Sequence, residues 1–330
     1  MKAVGLYRYL PVDHPESLLD LEVDEPAAAG RDLLVEVKAV SVNPVDTKRR
    51  APRDLVEKTP KILGFDAAGV VKAAGPDCTL FRPGDAVYYA GSVIRQGTNC
   101  QFHLVDERIV GRKPANLPFP EAAALPLTTL TAWELIFDRM GVSISGAHSG
   151  RSLLILGGAG GVGSVAIQLA KKLAKLHVTA SASRPESIAW CKALGADATV
   201  DHTKPIEMEA DFVLCLSSSD FYWNQFPKMT KPQGKIGLIV RTVRPVDLAI
   251  LHDKSIAVCL EGMFTRSTFQ TPDMEAQHLL LDEAAGLAEA GVLKTTMTRN
   301  LGKIDAANLK RAHKLLEEGH VVGKLVLEGW

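Results

Sequence analysis

One stretch constrains this 330-residue chain more than any other. The apolar run Leu153-Leu154-Ile155-Leu156 opens directly into Gly157-Gly158-Ala159-Gly160-Gly161-Val162-Gly163. Gly158, Gly160 and Gly163 fit G-x-G-x-x-G. Between a strand and a helix, such a turn lets the backbone approach a pyrophosphate at a helix N-terminus. Val162, Ala166, Leu169 and Leu173 then recur at three- and four-residue spacing, the period of a helix with one apolar face. A glycine turn needed only for packing would not require this strand-turn-helix context, so the stretch predicts dinucleotide binding through Gly158, Gly160, Gly161, Val162 and Gly163.

The surroundings repeat the rhythm. Residues 151–262 alternate apolar strand patterns (177–181, 198–200, 212–216, 235–240 and 256–260) with helical ones, such as the segment from Pro185 to Gly195. That alternation predicts a parallel, doubly wound sheet. Residues 1–118 read differently. Short strand patterns at 33–40, 67–74, 86–89 and 102–105 are separated by Gly75-Pro76-Asp77 and Pro83-Gly84-Asp85, which predicts a compact β-barrel-like unit. Helical patterns begin at Pro120 and continue through Leu130-Thr131-Ala132-Trp133-Glu134-Leu135-Ile136-Phe137. Beyond Gly262 come helical patterns at 273–290 and 305–318 and a last strand at 323–327. This tail is too small for a core of its own and is expected to return to the first unit. The expected division is 1–120, 121–265 and 266–330.

Charge excludes some roles. Lys and Arg total 38 and Asp and Glu total 38, so the formal net charge is zero. Bulk electrostatic binding of nucleic acid or of an anionic membrane is therefore not expected. No apolar run reaches the ~18 residues of a spanning helix, and the first residues read as a strand rather than a signal peptide, so a cytoplasmic location is expected. The five cysteines contain no C-x-x-C pair. Cys191, Cys215 and Cys259 lie in apolar patterns and read as reduced, buried thiols.

The end of the second strand bears on cofactor choice. An NAD site usually carries an acid there for the ribose hydroxyls. This chain has Ser181-Ala182-Ser183-Arg184. No carboxylate repels a 2′-phosphate, Ser181 and Ser183 offer hydroxyls, and Arg184 offers a guanidinium. NADP(H) is the expected cofactor.

The run 159–163, with Gln168-Leu169-Ala170-Lys171 behind it, resembles the medium-chain dehydrogenase/reductases. Asn43-Pro44-Val45-Asp46, the segment 126–133 and Gly323-Lys324 resemble their quinone-oxidoreductase branch, and Phe102 to Arg108 and Glu261 to Arg266 resemble the subgroup called zinc-type alcohol dehydrogenase-like. The resemblance spans essentially the whole chain. It implies a Rossmann sheet inserted into a GroES-like β-barrel catalytic domain. It also implies cofactor contacts from Thr128, Thr131, Met263, Phe264 and Lys324, and places Asn43, Asp46 and Lys48 at the catalytic cleft. Zinc-dependent members carry Cys where this chain has Asn43, Gly-His-Glu where it has Gly64-Phe65-Asp66, and a further Cys within what is here Pro126-Leu127-Thr128. A zinc site needs three or four N, S or O ligands, so a zinc-free protein is expected.

Without a Lewis acid, the expected reaction is hydride transfer from NADPH to a quinone or to the β-carbon of an enone. Hydrogen-bond donors would meet the charge on the substrate oxygen. Asn43 is a candidate donor and Lys48 a candidate proton source. Asp46 is a candidate turn residue beside them, and one of Tyr88 and Tyr89 could face the cleft. His103 and His177 read as satisfied structural histidines. The alternatives are a zinc alcohol dehydrogenase with noncanonical ligands and a non-enzymatic, crystallin-like NADPH-binding protein. The apolar strand 256–260 is an unprotected edge, so a homodimer is expected.

Overall fold

The computed structural model describes residues Met1 to Trp330. The strands are β1 (Lys2–Tyr9), β2 (Leu19–Glu22), β3 (Asp32–Val42), β4 (Arg53–Ile62), β5 (Asp66–Ala74), β6 (Ala86–Tyr89), β7 (Phe102–Asp106), β8 (Val110–Arg112), β9 (Ser152–Leu156), β10 (His177–Ser181), β11 (Ala198–Val200), β12 (Ala210–Cys215), β13 (Thr230–Leu238), β14 (Ala257–Leu260), β15 (Met297–Asn300) and β16 (Lys324–Glu328). The helices are α1 (Pro44–Arg50), α2 (Phe119–Ala123), α3 (Pro126–Trp133), α4 (Gly161–Lys172), α5 (Pro185–Ala193), α6 (Ser219–Tyr222), α7 (Phe226–Met229), α8 (Thr265–Phe269), α9 (Ala276–Glu289) and α10 (Ala306–Glu317). They fall into two compact units. One comprises residues 1–127, 264–291 and 295–330; the other comprises 128–263 and 292–294.

The first unit is built on β3. Along one edge β3 pairs with β5, and along the other it pairs first with β7 and then with β16. Register shifts at Leu34/Val35 and Val37/Ala39 let one eleven-residue strand change partners, as bulges commonly do in barrels. The order is β15-β16-β3-β5-β6-β8, and a three-stranded sheet β2-β1-β4 accompanies it. Leu6, Leu18, Leu33, Val35, Ala67, Val87 and Leu327 are among its fully buried core. β4 is not evident from the sequence: Arg53-Asp54-Leu55-Val56-Glu57-Lys58-Thr59-Pro60 is charged and holds a proline, and it forms an outer strand, where proline is tolerated. Tyr88 and Tyr89 are both buried on opposite faces of β6. Tyr88 Oη donates to the Leu281 carbonyl (2.6 Å), and Tyr89 Oη bonds His103 Nδ1 (3.1 Å). Neither hydroxyl is left to face a substrate.

The second unit is the parallel sheet, in the order β11-β10-β9-β12-β13-β14. The direction of strand addition reverses between β9 and β12, the switch point where ligands of such sheets bind. β9 is flanked on both sides, which explains its uninterrupted apolar run. Residues 163–170 of α4 are buried all round, so the helix is an internal one. Val162 and Leu173 of the expected stripe are only half-buried. His177 is a correction to the sequence reading. It opens β10 on the surface, its side chain 58% exposed, 3.7 Å from Asp197. Cys259 is half-buried rather than enclosed. The helical pattern after Trp133 becomes a π-helical turn, Glu134–Arg139.

Candidate functional site

In the second unit the glycines are demanded by contact. Gly157 takes a left-handed φ of 92°, which only glycine adopts without strain. A methyl group on Gly158 would lie 2.6 Å from the Ala180 methyl, and one on Gly163 would overlap the carbonyl oxygens of Gly157 and Gly158. Bare backbone at these positions therefore lets α4 start hard against the ends of β9 and β10. Gly160 caps α4 with no side-chain acceptor. The first amides of the helix, at Gly161, Val162 and Gly163, have no acceptor within it and suit an anion.

Ser181 is fastened to this turn. The Gly157 amide donates to Ser181 Oγ (2.9 Å) and the Gly158 amide to the Ser181 carbonyl (3.3 Å). Ser181 is buried and positions the turn, while Ser183 and Arg184, half-buried, stand at the open end of β10. Arg184 opens α5; its carbonyl accepts from Ser187 Oγ at 2.9 Å and its guanidinium lies 3.9 Å from Glu186. Thr128 and Thr131 are buried, three residues apart on α3. Met263, three residues past β14, is also buried.

In the first unit the candidate catalytic residues meet a partner the sequence reading had assigned elsewhere. Lys324, at the start of β16, is 3% exposed and Asp66, at the start of β5, is fully buried. The Lys324 ammonium donates to Asp66 Oδ2 (3.1 Å), to the Val42 carbonyl (2.9 Å) and to Asn43 Oδ1. Asn43 Nδ2 donates to Asp66 Oδ2 at 2.8 Å, and the Leu127 amide donates to Asp66 Oδ1 at 2.7 Å. Burial pushes the Asp66 carboxyl up and the Lys324 ammonium down, each opposed by the partner's charge.

Two sequence expectations change here. All three ammonium protons of Lys324 are engaged inside the protein, which leaves none for a cofactor phosphate. Asn43 turns its donors to Asp66 and, at 3.4 Å, to the Ser41 carbonyl, so donation to a substrate would require breaking the cluster. Asp46 caps α1, its Oδ2 accepting from the Asn43 amide at 2.7 Å. Burial raises the Asp46 carboxyl to about 7 against the Asn43 amide and the Lys324 charge. Lys48 is apart from this cluster, exposed on α1. Phe65 faces Phe264, ring centroids 5.1 Å apart. The linking of Asp66 to Lys324 was missed in the sequence; its one visible sign is a lysine opening the apolar strand Leu325-Val326-Leu327.

The cluster also tests whether zinc fits. Asn43 offers an amide oxygen already held by an ammonium, Phe65 offers no donor atom, and Asp66 is already paired. Nowhere does the chain gather three His, Cys, Asp or Glu side chains in a metal-holding group. The residues do not fit the ion.

Comparison with known proteins agrees with both units. Residues 29–114 match the alcohol dehydrogenase GroES-like domain, and residues 194–327 match the zinc-binding dehydrogenases. A zinc-type alcohol dehydrogenase-like protein of Staphylococcus aureus is 41% identical over 99% of both chains. The 2-methylene-furan-3-one reductase of Solanum lycopersicum is 38% identical over 62% of this chain and 53% of its own length. A crystal structure of a zinc-dependent alcohol dehydrogenase candidate from Rhizobium etli superimposes with a TM-score of 0.95 at 49% identity, covering 100% of this chain and 98% of that one. A Rossmann sheet with its glycine turn, a GroES-like barrel and full-length relatives of this identity make the chain a member of the medium-chain dehydrogenase/reductases, an oxidoreductase of the zinc-type alcohol dehydrogenase-like group.

Proposed function

We propose that the protein reduces quinones or α,β-unsaturated carbonyls with NADPH and without zinc. The observation that carries this reading is the open end of β10. There Ser183 and Arg184 stand beside the bare glycine turn, and no carboxylate lies between Ser181 and Arg184. Arg184 would pair with a 2′-phosphate and the α4 amides with the pyrophosphate. Thr128, Thr131, Met263 and Phe264 would bound the nicotinamide end. When bound, NADPH supplies the hydride.

The chain's own task is to meet the negative charge that grows on the substrate oxygen. Lys48 is the donor this reading favours, because Asn43 is engaged with Asp66. Asn43 and Asp46 then act by fixing the start of α1, which carries Lys48. The Lys324 ammonium is a built-in cation beside Asn43 and Asp66, positions at which the resemblance implies zinc ligands in zinc-dependent members, and it neutralises Asp66 there. The tomato relative, whose name is that of an enone reductase, supports the substrate class.

The acting form is a homodimer in this proposal. β14 is the outer strand of its sheet and Leu260 is 70% exposed on it, an edge that pairing with a second copy would cover. The five cysteines are unpaired, which suits the reducing cytoplasm. No helix is long and apolar enough to cross a membrane. The test is NADPH oxidation followed with a panel of quinones and enones. Turnover on members of the panel is expected; tight NADPH binding with no turnover on any member contradicts the proposal.

A further inference from the structure

The helix that follows β10 is fastened to the glycine turn by one polar side chain. On α5, Ser187, Trp190 and Cys191 stand three and four residues apart, which puts them on one face. Of the residues of α5 only Ser187 and Cys191 are buried, and Trp190 is half-buried. So little apolar area holds the helix weakly. Two contacts reach the turn. Cys191 Sγ lies 3.3 Å from the point where a Cβ on Gly158 would stand. Trp190 Nε1 donates to Ser164 Oγ at 2.8 Å.

Ser164 passes that bond on. A hydroxyl can donate and accept at once. Ser164, fully buried in α4, gives its proton to the Gly160 carbonyl at 2.7 Å, and a lone pair is left for the indole N–H. The Gly160 carbonyl also accepts from the Ser164 amide at 2.8 Å. Held twice, this carbonyl fixes the plane of the Gly160–Gly161 peptide. In a trans peptide the N–H points away from the C=O, so Ser164 aims the Gly161 amide out of the start of the helix.

The other end of α5 carries Arg184. Ser187 Oγ accepts from the Arg184 amide at 3.2 Å and donates to the Arg184 carbonyl at 2.9 Å, which closes the first turn. The link from β10 is short, and within it the Ala182 amide donates to the Val200 carbonyl at 2.9 Å. These bonds fix where α5 begins. The direction in which it runs depends on the contacts further along, and the indole bond is the directional one.

We propose that Trp190 is a positioning residue for cofactor specificity. Its bond to Ser164 holds α5 in register with the glycine turn, so that Arg184 and the α4 amides meet the 2′-phosphate and the pyrophosphate of one NADPH. The role rests on the reading of Arg184 as the 2′-phosphate ligand. Trp190 itself touches no cofactor atom in this account. It acts through Arg184, and NADH, which has no 2′-phosphate, does not draw on it.

The test is calorimetric titration of NADPH and of NADH into the wild type, Trp190→Phe, Arg184→Ala and the double variant. Phenylalanine keeps a ring in place and removes the indole donor. Loss of one neutral hydrogen bond corresponds to about threefold to tenfold in an equilibrium constant. Trp190→Phe should lose that factor for NADPH and less than about twofold for NADH. Once Arg184 is gone, adding Trp190→Phe should cost NADPH less than about twofold more. Equal losses for the two cofactors, or an undiminished loss in the Arg184→Ala background, overturn the positioning role and show Trp190 to be structural. Wild-type NADPH affinity in Arg184→Ala refutes the cofactor reading. Weakened NADPH binding in Arg184→Ala beside an unchanged Trp190→Phe refutes the positioning role alone. If Trp190→Phe does not fold, Ser164→Ala takes its place, removing the acceptor while leaving the indole. It should weaken NADH through the freed Gly160 carbonyl, and NADPH by about threefold more; equal losses overturn the proposal.

Discussion

Lys324 Nζ lies 3.1 Å from Asp66 Oδ2, with both side chains enclosed. The pair joins the last strand of the chain to a strand that begins 258 positions earlier. Breaking a buried pair by removing one partner costs about 3–5 kcal/mol, because the remaining charge is left without compensation. Lys324→Met should destabilise the protein by that order, measured by denaturant unfolding. The double variant Lys324→Met/Asp66→Asn should recover part of the loss. Without the ammonium, the Asn43 side chain is free to turn over and offer its oxygen to the amide introduced at position 66. A double variant no more stable than the single one would contradict this.

Arg184 decides cofactor choice in this account. Hydrogen bonds to a charged group contribute about 1.5–3 kcal/mol. Arg184→Glu should therefore weaken NADPH relative to NADH by about tenfold to hundredfold, read from the two kcat/KM values. An unchanged ratio would reject the assignment of Arg184 to the 2′-phosphate.

Gly163 admits no side chain. The methyl group of Gly163→Ala would overlap the carbonyl oxygens of Gly157 and Gly158, and overpacking of this kind costs about 1–3 kcal/mol. The variant should lose about tenfold or more in NADPH affinity and melt earlier. Wild-type affinity by titration would show that the turn is not the cofactor contact.

Acid should weaken the first unit through two histidines. Burial, and then Arg50 beside it, hold His313 down to about 3; burial holds His103 down to about 4. Both therefore stay neutral in the fold while the unfolded chain takes up protons near 6.5. Their stabilisation is present above about 6.5 and is lost as pH falls through the range down to the native values. Each histidine should lower the folding constant up to tenfold per pH unit across that window. His313→Gln should flatten the profile by one proton. A variant with the wild-type acid slope would refute the assignment.

The glycine turn was legible in the sequence because no other residue can replace glycine where backbone meets backbone, as at Gly158 against Ala180. β9 was legible because a central parallel strand, covered on both faces, carries an uninterrupted apolar run, here Leu153 to Leu156. The Asn43, Asp66 and Lys324 cluster was not. Asn43 lies 23 positions from Asp66 and 281 from Lys324, and only the pairing of β16 with β3 brings them together. Each was therefore read alone: Asn43 as a donor, Asp66 as an empty zinc position and Lys324 as a cofactor contact. The π-turn was hidden for a different reason. One widened turn leaves the apolar period of the helix almost unchanged, so the meeting of Glu134 with Arg139 shows only in the folded chain.

The central claim is that the Lys324 ammonium takes the place of a metal in an NADPH-dependent reductase. The most direct measurement is the rate of NADPH oxidation with an enone or quinone that the enzyme turns over, before and after exhaustive treatment with a zinc chelator, alongside metal analysis of the untreated protein. The account predicts an unchanged rate and no stoichiometric zinc. A rate abolished by the chelator and restored by added zinc, with about one zinc per chain beforehand, would contradict it.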